Sequence, residues 1–157
     1  MLGIADADTE ENATGSSHYV VTPLSCALPN RHAGGPKASG DESLRILPGT
    51  RLCRIAGATD ASEQYYCNYG VNAEYEARFE ASGLRPAARG AQGELRAVEL
   101  TGHRFFLATL FQPQLSSRPE APHPLLLAFL RAARRFRKAE GKTPKTGKKL
   151  HRASRRR

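Results

Sequence analysis

Residues 93–119 read GELRAVELTGHRFFLATLFQPQLSSRP, and two strand-like runs stand out in them. Residues 95–100 and 105–111 are separated by Thr101-Gly102, a turn signal. The second run is nearly all apolar, the pattern of a strand buried on both faces. A polar stretch from Pro113 to Pro119 then reads as a loop.

Working upstream, residues 63–71 alternate. Tyr65, Cys67, Tyr69 and Val71 fall on one side of a strand, and Tyr66, Asn68 and Gly70 on the other. Asn72 is placed to cap a short helix, with Glu74 and Glu76 at its positive end. Tyr75 and Phe79 share one face of it, and Gly83 ends it. Further back, residues 44–47 and 19–24 are short strand candidates, and Pro48-Gly49 marks a turn. Residues 29–42 and 6–17 read as loops.

Downstream, His123 and Pro124 open a helix. Leu126, Phe129, Leu130, Ala133 and Phe136 make its apolar stripe, and Arg134, Arg135, Arg137 and Lys138 suit its negative end. Strands alternating with helices predict an α/β domain over residues 1–140, with antiparallel pairing around Gly93. Residues 141–157 form a basic tail, expected to be disordered.

The chain has 157 residues, room for one domain, and 39% of them are apolar. The longest apolar runs fall well short of the roughly 20 residues needed to cross a bilayer. No membrane span is expected, and the opening MLGIADADTEE has none of the features of a secretory signal. Cys26, Cys53 and Cys67 are odd in number and widely spaced. They predict neither a disulfide framework nor a zinc site, and they suit a reducing cytoplasm. Cys26 and Cys53 read as small buried apolar residues.

The net charge of +9 is unevenly spread. Residues 131–157 hold thirteen Lys and Arg against one acid, net +12, whereas residues 1–130 hold eleven bases and fourteen acids, net −3. On this reading, arguments from charge to partners apply to the end of the chain alone.

The order of these pieces resembles the C-terminal glutamine amidotransferase domain of CTP synthase, a class I family, and in particular small stand-alone proteins related to that region. FEASGLR, the 93–119 run and APHPLLLAFLRAA match the family's strand, its His-Pro-Glu loop, Ser-Arg-Pro and His-Pro-Leu in order. EQYYCNYGVN matches at Glu63, Tyr69, Val71 and Asn72. The resemblance covers about residues 43–137 and implies a class I amidotransferase-like, flavodoxin-like sheet. It implies an ancestral role in releasing ammonia from glutamine for pyrimidine nucleotide synthesis. It brings no resident cofactor or metal.

The departures from the family are chemical. Such enzymes attack the glutamine amide with a cysteine thiolate, move protons with a histidine, and orient that histidine with a glutamate two residues on. Here those last two positions are Gln112 and Gln114. An amide takes up no proton near neutral pH, and Gln114 has no charge to stabilise an imidazolium. None of the three cysteines sits in a Gly-x-Cys-x-Gly elbow, and the family's Arg/His-rich strand reads YYCNY. A working glutaminase is therefore not expected, and the chain reads as a pseudoenzyme.

Two roles stand for Gln112 and Gln114, drifted relics or contacts to glutamine or a related small ligand. Tyr66, Asn68 and Tyr69 join them as pocket candidates, although core and half-buried strand positions are the commoner explanation for Tyr65, Tyr66 and Tyr69. His123 reads as a structural residue at a helix start and His103 as a turn residue.

The chain opens without a glycine-rich first βα unit, so it looks like the back of a fold. One alternative makes it a fragment of a larger amidotransferase, or of a selenoprotein, whose nucleophile half lies upstream or on a missing subunit. Another makes it a binder of nucleic acid or a partner through its basic tail.

Overall fold

The computed structural model describes residues 2–12, 15–24 and 39–140, the side chains of Ser39 and Glu140 excepted. The proposed basic tail, Cys26 and residues 29–38 of the expected loop lie outside them.

The core is built on a five-stranded sheet. Its strands are β3 (Ser39–Ile46), β4 (Asp60–Tyr66), β6 (Leu84–Gly90), β7 (Leu95–Leu100) and β8 (Leu107–Thr109), in the order β4-β3-β6-β7-β8. Every pairing in this sheet is antiparallel. A three-stranded sheet joins β1 (Ala7–Thr9), β2 (His18–Pro23) and β5 (Tyr69–Val71), and its β1–β2 pair is parallel. The helices are α1 (Arg51–Ala56), α2 (Glu76–Ala81), the single turn α3 (Pro113–Ser116) and the long α4 (Pro124–Glu140).

The α/β class and the hairpin around Gly93 agree with the sequence. Gly93 has φ 85°, which only glycine adopts without strain, and its amide closes the turn onto the Gly90 carbonyl at 3.1 Å. Asn72 caps as expected, its side-chain oxygen accepting from the Glu74 amide at 3.1 Å.

Other expectations need correction. Residues 63–71 are not one strand. The chain turns at Cys67–Asn68, so β4 pairs with β3 in one sheet and β5 with β2 in the other. Alternation alone cannot report a change of partner. Residues 105–111 give only the short edge strand β8, because Phe105 and Phe106 are used in packing ahead of it. Residues 39–42, expected in a loop, extend β3. Within the expected 6–17 loop, residues 7–9 form β1.

Strand β6 and helix α1 were not anticipated, nor was the single turn α3 within the expected 113–119 loop. Strand β6 contains Pro86, which argues against a central strand, yet the register with β7 shifts between Pro86 and Ala88. The irregularity accommodates a residue that cannot donate to the ladder. Helix α1 follows Thr50, whose Oγ1 accepts from the Cys53 amide at 3.0 Å, and it ends at Gly57 with φ 71°.

The main core gathers Leu44 and Ile46 of β3, Leu52 of α1, Ala87 and Ala88 of β6, Phe111 and Leu125. Cys53, expected to be buried, is half-buried against this cluster. Part of the expected α4 stripe is turned outward, with Phe129 53% and Leu130 60% exposed, while Leu126 and Phe136 are half-buried. Leu125 enters the core instead, and Leu127, Ala128 and Ala132 face α1. Residues 124–130 are apolar throughout, so the pattern did not specify which side faces inward.

Candidate functional site

Beyond β8 the chain crosses to the far edge of the five-stranded sheet. Phe111 is buried there, and the Gln112 amide donates to the Gln64 carbonyl of β4 at 2.9 Å. Gln112 thus stands beside β4, two residues ahead of Tyr66, and occupies the N-cap position of α3 without a side-chain capping bond. Gln114 is exposed on α3. Tyr66, 51% exposed, ends β4. Asn68 lies in the turn, where its carbonyl accepts from the Leu24 amide at 2.8 Å, and Tyr69 begins β5. The fold therefore brings Gln112 to the strand that ends in Tyr66, while Asn68 and Tyr69 are tied to β2.

Around this corner the ionisable side chains are engaged. His123 Nε2 lies 3.0 Å from Glu63 Oε1 of β4, both side chains being nearly buried. His123 Nδ1 accepts from the Leu125 amide at 3.1 Å, which places the ring proton on Nε2 for donation to Glu63. The imidazole packs against Phe111, ring centroids 6.5 Å apart. This agrees with a structural histidine at a helix start. Its pairing with Glu63, sixty residues away, was missed, since both residues belong to matched segments but nothing in their spacing joins them.

His103 Nδ1 accepts from the Phe105 amide at 3.2 Å, the expected turn role. His18 Nδ1 meets the Tyr75 hydroxyl at 3.1 Å. Cys67 Sγ accepts from the Tyr69 amide at 3.4 Å. Among the described residues no cysteine is a hydrogen-bond partner of these histidines.

Behind β4, Arg96 of β7 is buried, 2.7 Å from Glu42 and also bonded to Glu94, with its guanidinium 4.5 Å from the Tyr65 ring centroid. Burial opposes the Arg96 charge, but the Glu94 hydrogen bond, Tyr65 and Glu42 outweigh it and hold its pKa above the usual range. Among the described residues the buried Tyr65 hydroxyl has no hydrogen-bond partner. Burial pushes this phenol well above the tyrosine range, with Arg96 opposing and Glu42, Glu63 and Glu94 adding to the rise.

Cavities open to solvent include three among the described residues. One of about 460 Å3 lies along Ser43, Asp60 and Arg89, and one of about 520 Å3 along Gly49, Glu80 and Arg85. The third, about 550 Å3, runs between α1 and α4 and is lined by Arg51, Arg54, Arg104, Arg131 and Arg135. None of the three includes Tyr66, Asn68, Tyr69, Gln112 or Gln114. Positive charge is thus also concentrated on the folded body, contrary to the expectation that charge arguments concern only the end of the chain. Only the fold gathers residues so scattered in sequence.

No protein-family model matches the chain. It is 32% identical over 139 residues to CTP synthase of Syntrophus aciditrophicus, a match covering 88% of this chain and 26% of that protein. CTP synthase of Aeropyrum pernix is 37% identical over 139 residues, covering 87% and 26%. That of Caldivirga maquilingensis is 36% identical over 152 residues, covering 95% and 28%. The chain spans about a quarter of the length of these relatives.

Among solved structures, the Trypanosoma brucei CTP synthase glutaminase domain with bound acivicin superposes with a TM-score of 0.76 at 29% identity. That match covers 86% of this chain and 53% of the other. A putative GMP synthase protein from Thermoplasma acidophilum, 12% identical with a TM-score of 0.50, covers 68% and 49% and shares the fold alone. Within the described residues no helix is long and apolar enough to cross a membrane. Fold and sequence agree on one relationship, and the chain is a relative of the glutaminase domain of CTP synthase with the class I glutamine amidotransferase fold.

Proposed function

We propose that this chain is a catalytically degenerate amidotransferase-like protein, which keeps the glutaminase-domain scaffold for binding and does not hydrolyse glutamine. The observation that carries this reading is the corner at Gln112. The position that resembles the family's general base carries an amide side chain, on a backbone whose N–H is bonded to the Gln64 carbonyl, and the neighbouring histidine, His123, is committed at both ring nitrogens. A base must be free to take a proton from the nucleophile. Losing triad members costs on the order of 10⁴ to 10⁶ in rate. Cys53 and Cys67, free thiols, suit a reducing cytoplasm.

The binding role is assigned to the corner where Gln112 meets the strand that ends in Tyr66, with Asn68, Tyr69 and Gln114 as further candidate contacts and glutamine or a related small molecule as the ligand. Ammonia release from glutamine by the purified full chain tests the reading. None above background is expected, and turnover that disappears when one cysteine is replaced by serine would overturn it.

A second reading is favoured by coverage, since the chain matches 53% of the trypanosomal glutaminase domain. In it, a preceding segment or separate subunit supplies the nucleophile half, as cysteine or selenocysteine. The intact mass of the protein isolated from its own cells distinguishes the two. A mass matching the 157 residues supports a degenerate binder unless a separate subunit co-purifies, and a heavier chain supports the second reading.

A further inference from the structure

The groove between α1 and α4 concentrates charge that no ion pair among the described residues neutralises. Arg51 and Arg54 come from α1, Arg104 from the segment ahead of β8, and Arg131 and Arg135 from α4. Among the described residues no carboxylate forms an ion pair with any of the five. Glu99 is near but used, accepting from the Arg51 backbone amide at 2.6 Å and facing Arg85 at 3.8 Å. Arg131 and Arg135 stand four apart on one helix, a spacing at which like charges repel. Such an arrangement costs stability unless an anion occupies it.

The five guanidinium groups are held in different ways, that of Arg104 lying 3.6 Å from the centroid of the Phe136 ring. Arg51 donates to the Arg104 and His103 carbonyls at 2.8 and 2.9 Å, and Arg54 to the Gly49 carbonyl at 3.2 Å. These bonds fix the side chains and leave their charge intact. Arg131 and Arg135 are exposed on the opposite wall.

Aromatic surface accompanies the charge. Phe105 lies in the groove wall under Arg51, whose guanidinium carbon is 5.3 Å from the ring centroid. Phe129, 53% exposed, meets Phe105 at a centroid separation of 5.7 Å. The sequence following α4, residues 141–157, adds eight Lys and Arg and no acid.

We propose that this groove binds single-stranded nucleic acid, with the arginines along the phosphates and Phe105 and Phe129 offering ring surface to bases. A cationic groove bordered by aromatic rings is the common design of sequence-tolerant single-strand binding. A lone phosphate would use the charge of the groove but not the adjoining rings of Phe105 and Phe129, on which bases can stack. This site is separate from the Gln112 corner and stands or falls independently of the proposed loss of glutaminase activity.

The test is fluorescence anisotropy of a labelled single-stranded oligouridylate of about 16 nucleotides, titrated with the full chain at several salt concentrations. The double variant R131E/R135E should bind at least about tenfold more weakly. R131Q/R135Q should reduce the slope of log affinity against log salt by about 1.4, from two lost phosphate contacts. The glutamine variant also guards against misfolding of the glutamate one, and each variant's melting curve is recorded. A full-length variant with the eight bases after residue 140 changed to glutamine should keep a measurable, groove-dependent share of the affinity. Unchanged binding in both groove variants would overturn the proposal. So would displacement of the oligonucleotide by equimolar inorganic phosphate, or binding to phosphatidylserine vesicles without binding to the oligonucleotide.

Discussion

His123 Nε2 and Glu63 Oε1 stand 3.0 Å apart and fasten the start of α4 to β4 across sixty residues of sequence. The same imidazole accepts from the Leu125 amide, so one side chain both caps the helix and fixes its entry over Phe111.

His123→Ala should therefore remove two hydrogen bonds at once and lower stability by roughly 1–3 kcal/mol. Glu63→Gln, which keeps an acceptor, should cost less. Urea unfolding of the two single variants and the double variant is the measurement, and the pair should be less than additive. Strict additivity would mean that the contact does not form in solution.

Tyr65→Phe should be neutral or stabilise by up to about 1 kcal/mol at neutral pH, because the hydroxyl it removes is buried and has no hydrogen-bond partner among the described residues. Burial raises the pKa of this phenol in the folded state. A raised phenol contributes its stability in full below pH about 10, and that contribution is lost as pH climbs through the folded value. The variant should accordingly lose less stability than the parent above pH about 10. A loss of more than about 2 kcal/mol at neutral pH would show that the hydroxyl is hydrogen-bonded after all.

Gly90→Ala should destabilise by roughly 2–4 kcal/mol. A Cβ at this position would meet the Glu94 carboxylate and come within 2.9 Å of Arg96 Nε. Displacing Glu94 leaves the buried Arg96 short of an anion. Thermal melting checks this, and Glu94→Ala should largely mask the effect of adding the methyl group.

Thr50→Ala should cost about 1–2 kcal/mol. Its hydroxyl donates to the Leu47 carbonyl at 2.6 Å and accepts from the Cys53 amide, and the residue is buried. Thr50→Ser should retain most of the stability. An equal loss in both variants would assign the effect to methyl packing.

Restoring the family-like pair with Gln112→His and Gln114→Glu should not create glutaminase activity, because no cysteine of the sequence stands in a Gly-x-Cys-x-Gly motif. Ammonia release at or above about 10⁻² of a working amidotransferase rate, judged against the losses expected from triad removal, would contradict this.

The sequence conveyed the elements whose signals are local. Asn72, Gly93 and Pro124 each announce a cap, a turn or a helix start through their own backbone chemistry. It did not convey β6, because Pro86 argues against a strand unless the irregular register that tolerates it is known. The outward turn of Phe129 and Leu130 was hidden by a helix start that is apolar on every side. The family resemblance located Gln112 and Gln114, but not the His123–Glu63 pair or the arginine groove. Those depend on which distant segments the fold brings together.

The most direct test of the central claim is a single-turnover experiment with glutamine labelled with 15N in its side-chain amide, protein in excess, followed by NMR. The account predicts that the amide signal persists and no labelled ammonium appears. Conversion to ammonium that stops when Cys26, Cys53 or Cys67 is changed to serine would contradict it.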